Sequence, residues 1–143
     1  MRPKRKPAML PVDFATTASG CVFTLPLRLV SEANAHEHWR ARQKRAKAQR
    51  STTAILMRSL AHRSSWWALP DVVTITRVAP RALDSDNAVG SAKHVRDGVA
   101  DYLGIDDRRP DIEWVVKQDR ASTPNTYGVV VELRWCDTVA VMP

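Results

Sequence analysis

Between Leu83 and Asp107 the chain reads LDSDNAVGSAKHVRDGVADYLGIDD. Asp84 and Asp86 flank Ser85, Asn87 follows, Lys93 and Asp97 stand four apart, and Asp106-Asp107 close the stretch. Carboxylates drawn together repel: two unit charges ~4 Å apart oppose each other by roughly 4 kcal/mol at an effective dielectric near ~20. Either one acid keeps its proton or a divalent cation neutralises the group. Asp84, Asp86 and Asp107 are therefore candidate ligands for a hard ion, Mg²⁺ with Mn²⁺ as a substitute, rather than zinc. Lys93 is the candidate cation for holding a phosphate or stabilising charge that develops on it, with His94 and Arg96 as alternatives. Asn87, Asp97 and Asp106 are candidate outer partners. The chemistry these types could perform is metal-assisted hydrolysis of a phosphodiester.

Each piece alone has an ordinary explanation. D-x-D near a turn is most often a solvated loop or a helix cap, and Asp106-Asp107 is most often an exposed turn. Asp86 or Asn87 could simply cap a helix, and Lys93 with Asp97 could be a surface pair four residues apart. The argument for a site is the order of the pieces and the charge of the chain around them.

That charge is strongly basic. The 143 residues carry 22 Lys and Arg against 15 Asp and Glu, a net charge of +7, and the pI is near 10.0. A balance of this kind points to a polyanionic partner, nucleic acid before membrane. Arg40, Arg42, Lys44, Arg45, Lys47 and Arg50 crowd one predicted helix and are candidate phosphate contacts, as is Arg108 beside the acid pair. The plainer reading of such a run is a solvated helix face. Apolar residues make up 44% and charged residues 26%, the balance of a globular domain. No apolar run is long enough to span a bilayer, and the basic N-terminus lacks the apolar stretch of a secretory signal, so the expected location is the cytoplasm. Cys21 and Cys136 fit no zinc spacing and read as a reduced pair. Ser85 and Ser91 have no histidine-acid partner at a recognisable spacing, and no small-molecule cofactor is implied. His36 and His38 diverge around a helix and make a poor metal pair.

The elements that must position the acids follow from periodicity and punctuation. Residues 1–19, with RPKRKP and several prolines, read as a basic flexible arm; the same run could pass for a nuclear localisation signal. Residues 20–137 form the predicted domain, and 138–143 a tail. Cys21–Val30 alternates as a strand, with Pro26 arguing for an edge or a bulge. Asn34 and Glu37 suit the start of a long helix from about Ala35 to about His62, with a break near Ser51-Thr52-Thr53. Val72–Val78 is a second strand, stopped by Pro80. If the acids continue it as extended chain, Asp84 and Asp86 face the same way. A second helix over Ala88–Leu103 buries Val95, Val99, Tyr102 and Leu103, turns Gly90, Lys93 and Asp97 toward the acids, and ends at Gly104. Ile112–Gln118 and Val129–Trp135 complete a β-α-β-α-β-β order. This predicts a single α/β (α+β) domain, a small mixed sheet with helices packed on it. Most of Trp39, Trp66, Trp67, Trp114 and Trp135 are expected in the core or an interface, though an exposed one could stack on a base.

Taken together, the string Asp84-x-Asp86-Asn87, Lys93, Asp97, Asp106-Asp107 resembles the RusA family of Holliday junction resolvases, found in bacteria and their phages. The resemblance spans roughly residues 72–118 and extends more loosely upstream. It implies a homodimer that cuts branched DNA, the four-way junction, with Mg²⁺. It also implies that Asp84, Asp86 and Asp107 are metal-binding catalytic acids and that Lys93 is the essential basic residue. The family's lysine follows its asparagine more closely, so AVGSA reads as a short insertion. Two other readings stay open: a nucleic-acid-binding protein without catalysis, and a metal-dependent nuclease for other branched or single-stranded DNA.

Overall fold

The structure is a computed structural model that describes residues 3, 5–32, 38–66 and 68–136. The expected cap at Asn34 and Glu37, the helix start at Ala35, His36, Trp67 and the tail 138–143 lie outside those residues.

The strands are β1 (Ala8–Met9), β2 (Asp13–Thr16), β3 (Gly20–Leu25), β4 (Val72–Ala79), β5 (Glu113–Arg120) and β6 (Thr126–Arg134). The helices are α1 (Trp39–Leu60), α2 (Ser85–Ser91) and α3 (Lys93–Leu103). One mixed sheet runs β2-β3-β6-β4-β5, and β1 pairs parallel to the start of β6. The predicted α+β class and the helices on the sheet are therefore what the chain forms. Among the described residues no helix is long and apolar enough to cross a membrane.

Alternation decides which side of the sheet faces the helices. Cys21, Phe23 and Leu25 of β3, Val73 and Ile75 of β4, and Val129, Val131 and Leu133 of β6 are buried in one cluster. Val95, Val99, Tyr102 and Leu103 of α3 close on it, as their helical spacing predicts, with Met57 of α1. Burying a side chain of this size contributes about 1.5–3 kcal/mol, so this layer supplies most of the drive to fold. Trp66 and Trp135 pack with ring centres 5.1 Å apart, and Tyr102 Oη accepts from Trp66 Nε1 at 3.0 Å while donating to the Ala61 carbonyl at 2.6 Å. Gly104 ends α3 with φ 72°, a left-handed conformation that glycine adopts without strain.

Several boundaries differ from the sequence expectation. Part of the expected arm is sheet: β2 pairs antiparallel with β3, and Phe14 rests 5.0 Å from Phe23. β1 is held because Leu10 covers Gly128, where any Cβ would overlap it. The strand at Cys21 stops at Leu25, before Pro26, and lies between β2 and β6 rather than at an edge. α1 passes Ser51-Thr52-Thr53 without a break, and the buried Thr53 hydroxyl donates to the Gln49 carbonyl at 2.7 Å. Its N-cap is His38, whose Nδ1 accepts from the Arg40 backbone N–H at 3.2 Å. Cys21 is buried and Cys136 exposed, and both are free thiols.

Candidate functional site

The acidic stretch begins where β4 leaves the sheet. β4 and β5 run parallel, so the chain between them must cross over, and α2 and α3 are that crossover. The entry is clamped. Gln118 of β5 donates through Nε2 to the Leu83 carbonyl, and its Oε1 accepts from the Leu83 N–H, both at 2.8 Å. The residue after Leu83 is thereby fixed at the carboxyl end of the β4–β5 pair, the edge at which open α/β sheets commonly bind ligands.

Asp84 is the N-cap of α2, with φ −57° and ψ 153°, and Asp86 lies in its first turn. This corrects the extended reading of the pair. Ser, Asp and Asn favour the cap and first turn, and acids there are stabilised by the helix dipole, so the helix starts earlier than the expected Ala88. Residues two apart on a helix diverge, so the strand argument for a common direction does not apply. Both carboxylates are exposed, and neither bonds to a described residue. Asn87 is half-buried behind them.

The single second helix is in fact two. Ala92, at φ −89° and ψ −4°, separates α2 from α3. Gly90 and Ser91 are weak helix formers, and the buried Ser91 hydroxyl donates to the Ala88 carbonyl at 2.7 Å, competing with the helical ladder. Gly90 and Lys93 consequently belong to different helices and do not form the shared face the continuous helix would give. Lys93 is the exposed first residue of α3.

The other half of the motif gathers around the far side of α3. Asp97, Asp101, Asp106 and Asp107 line a cavity of about 330 Å³ together with Arg50 and Arg108. Asp101 takes two bonds from Arg50, and Asp106 takes the Arg108 side chain at 2.9 Å and its backbone N–H at 2.9 Å. Those bonds hold the Asp106 carboxyl well below the usual carboxylate range, and Arg50 lowers Asp101 in the same way. Asp107 faces Arg96 at 3.6 Å, an ion pair longer than a hydrogen bond, while Arg96 Nη2 donates to the Asp107 carbonyl at 2.7 Å. The Arg96 guanidinium also lies over Trp114, 4.7 Å from the ring centre. Asp84 and Asp86 do not line this cavity. Among the described residues no three His, Cys, Asp or Glu stand close enough to hold a metal ion together.

The expected basic helix is only partly available to a ligand. Arg40, Arg42, Lys44 and Lys47 are exposed. Arg45 is tied to Glu32 at 2.7 Å and Arg50 to Asp101. Trp39 is 56% exposed at the start of α1, beside Arg40 and His38. Of the described tryptophans it is the exposed one, whereas Trp66 and Trp135 are core.

Sequence reasoning missed a second group of arginines at the edge where β4 ends: Arg28, Arg77 and Arg81 line one cavity. The signal was present in the alternation. Arg77 falls in the register of Val73 and Ile75, a charged residue in an inward position.

No family model matches the chain. Over 87 residues it is 37% identical to an uncharacterized protein of Xylella fastidiosa (strain Temecula1), an alignment covering 53% of this chain and 52% of that protein. The chain thus spans about half the length of the relative it matches.

Proposed function

We propose that the protein is a Mg²⁺-dependent endonuclease selective for branched DNA, acting as a RusA-like Holliday junction resolvase in the bacterial cytoplasm. The observation that carries this reading is the pair Asp84 and Asp86: two carboxylates without a partner among the described residues, at the exit of a parallel strand, in a chain of net charge +7. Asp106 and Asp107 each face an arginine, as does Asp101, whereas Asp84, Asp86 and Asp97 form no ion pair among the described residues.

The donors suit the ion. Mg²⁺ is commonly held by one or two carboxylates, with water and substrate phosphate completing its shell. Asp84 and Asp86 would hold it once their exposed side chains turn toward a common ion; Asp107, engaged by Arg96, would join only after releasing that arginine. A bound Mg²⁺ would supply Lewis-acid polarisation of the phosphoryl oxygen and a more acidic water. The chain's own groups do the rest. Lys93 offers an exposed ammonium to the scissile phosphate, and Arg40, Lys44 and Lys47 hold the flanking backbone through counterion release. Two paired cuts across a symmetric junction call for a C₂ homodimer.

A synthetic four-way junction incubated with Mg²⁺, and separately with chelator, tests the reading. Paired nicks in the first and none in the second are expected. Flap and single-strand substrates in the same panel separate a resolvase from a nuclease of other specificity.

The pairing of Asp101, Asp106 and Asp107 with arginines favours a second reading, a nucleic-acid-binding protein whose acids only balance local charge. It predicts junction binding without cleavage under any metal.

A further inference from the structure

Arg77 is a cation where the sheet otherwise keeps apolar groups. It follows Val73 and Ile75 on the helix-covered face of β4 and is only 7% exposed. Its Nε donates to the Leu29 carbonyl at 3.1 Å and its Nη1 to the Arg81 carbonyl at 2.8 Å. These carbonyls orient the guanidinium without neutralising it, and Nη2 donates to no described residue. No ion pair joins it to an acid among the described residues. Burial is the main force lowering its pKa; Tyr127 opposes that, and Arg28 adds to it.

The guanidinium forms part of the wall of a cavity of about 530 Å³, which also takes Arg28, Arg81, Ser31, Asn125 and Tyr127. Three arginines line this cavity, and no acidic residue among the described residues does. Arg28 is itself fixed over the Tyr127 ring, 4.2 Å from its centre. The Arg77 guanidinium has carbonyl partners but no carboxylate beside it among the described residues, and an anion entering the cavity would supply the missing counter-charge. The planar fork of arginine matches the oxygens of phosphate.

We propose that this cavity is an oxyanion site that seats one phosphate group between the Arg77, Arg28 and Arg81 guanidiniums. Arg81 precedes Asp84 by three residues, so the seat lies at the same edge of the sheet as the acidic pair. A backbone phosphate of bound DNA is the source this position favours; a free phosphate or phosphomonoester offers the same chemistry. The site itself does not depend on cleavage. Only the assignment of its phosphate to DNA rests on the nucleic-acid reading above.

The test uses the full chain in chelator, so that no strand is cut. Wild type is compared with Arg28→Gln/Arg81→Gln, both rim residues, and with the single Arg81→Gln should the pair unfold. Two probes are used: inorganic phosphate against chloride at matched ionic strength, read by thermal unfolding, and a fluorescent DNA junction, read by anisotropy. The expected result is a rise in unfolding temperature with phosphate that the variant loses. Junction binding should weaken about tenfold or more, and the log–log salt slope should shrink by about 1. Loss of the phosphate response alone assigns the seat to a free phosphate; loss of the DNA response alone assigns it to a strand. Unchanged behaviour with both probes overturns the site. Cleavage failing while phosphate binding persists would count against the nuclease reading and leave this one standing.

Discussion

Arg50 of α1 and Asp101 of α3 meet in a two-pronged ion pair, Nε to Oδ2 at 2.6 Å and Nη2 to Oδ1 at 2.8 Å. The pair ties the basic helix to the crossover helix that begins at Lys93. It also removes Arg50 from the set of cations free to meet a phosphate. The sequence offers Arg50 and Lys47 as equals; the structure separates them.

Lys47→Gln should therefore reduce the salt slope of DNA binding by about one unit, and Arg50→Gln by less. Salt titrations of the two variants check this. Equal losses would mean that Arg50 leaves Asp101 when DNA binds.

The same pair sets a pH dependence. Arg50 lowers the Asp101 pKa in the folded state, chiefly through the hydrogen bonds, against the opposing effect of burial. A depressed carboxylate contributes stability that is present above its unfolded pKa, about 4, and lost as pH falls through the folded value. Both side chains are more than a third exposed, at 52% and 37%, so solvent screening limits the pair to about 0.2–1 kcal/mol. Asp101→Asn should lower stability by that amount at pH 7 and by almost nothing once pH has fallen below the folded value, as read from denaturant midpoints across pH.

Much of this architecture is written locally. The burial stripe of α3 and the stop at Gly104 follow from helical spacing and from the one residue type at ease with positive φ. The β-branched run ending at Pro80 marks β4. What eluded sequence reading is settled by tertiary partners. Residues 8–16 look like a tail until Leu10 finds Gly128 and Phe14 finds Phe23. The helix at Ala88–Leu103 looks continuous because spacing does not report that Ser91 bonds back to Ala88. The acids of the motif are visible by type, but their pairing with Arg50, Arg96 and Arg108 depends on how α1 crosses α3. Arg77 sits in a legible alternation, yet its meaning needs the neighbouring loop carbonyls.

That crossing depends on Gly98. A Cβ there would lie 2.5 Å from the Arg50 carbonyl oxygen and 2.7 Å from Thr53 Cβ, and backbone cannot yield cheaply. Gly98→Ala should destabilise the protein by about 1–3 kcal/mol despite alanine's better helix propensity. Thermal unfolding lowered by several degrees is the expected reading; a rise would mean that the helices are not in close contact at this point.

Tyr102→Phe should cost about 1–3 kcal/mol, because it strands the buried Trp66 N–H and the Ala61 carbonyl together. Burial already raises the Tyr102 pKa, so its hydroxyl stays protonated at neutral pH. Denaturant unfolding of the variant, with an unchanged slope, checks the loss.

The two thiols should behave differently. Burial pushes Cys21 up to about 12, so it holds its proton and does not attack a disulfide reagent at pH 8. Cys136 is exposed. One thiol per chain should react in the native protein and two in denaturant; two in the native state would contradict the burial of β3.

The central claim is that Asp84 and Asp86 make a metal site for cutting DNA. Its most direct measurement is the yield of paired nicks from a four-way junction with Mg²⁺, compared between wild type and Asp86→Asn at equal junction occupancy. The account predicts cleavage by wild type, none above background from the variant, and the same junction affinity in both. Undiminished cutting by Asp86→Asn, or no cutting by wild type at any Mg²⁺ concentration, would contradict it.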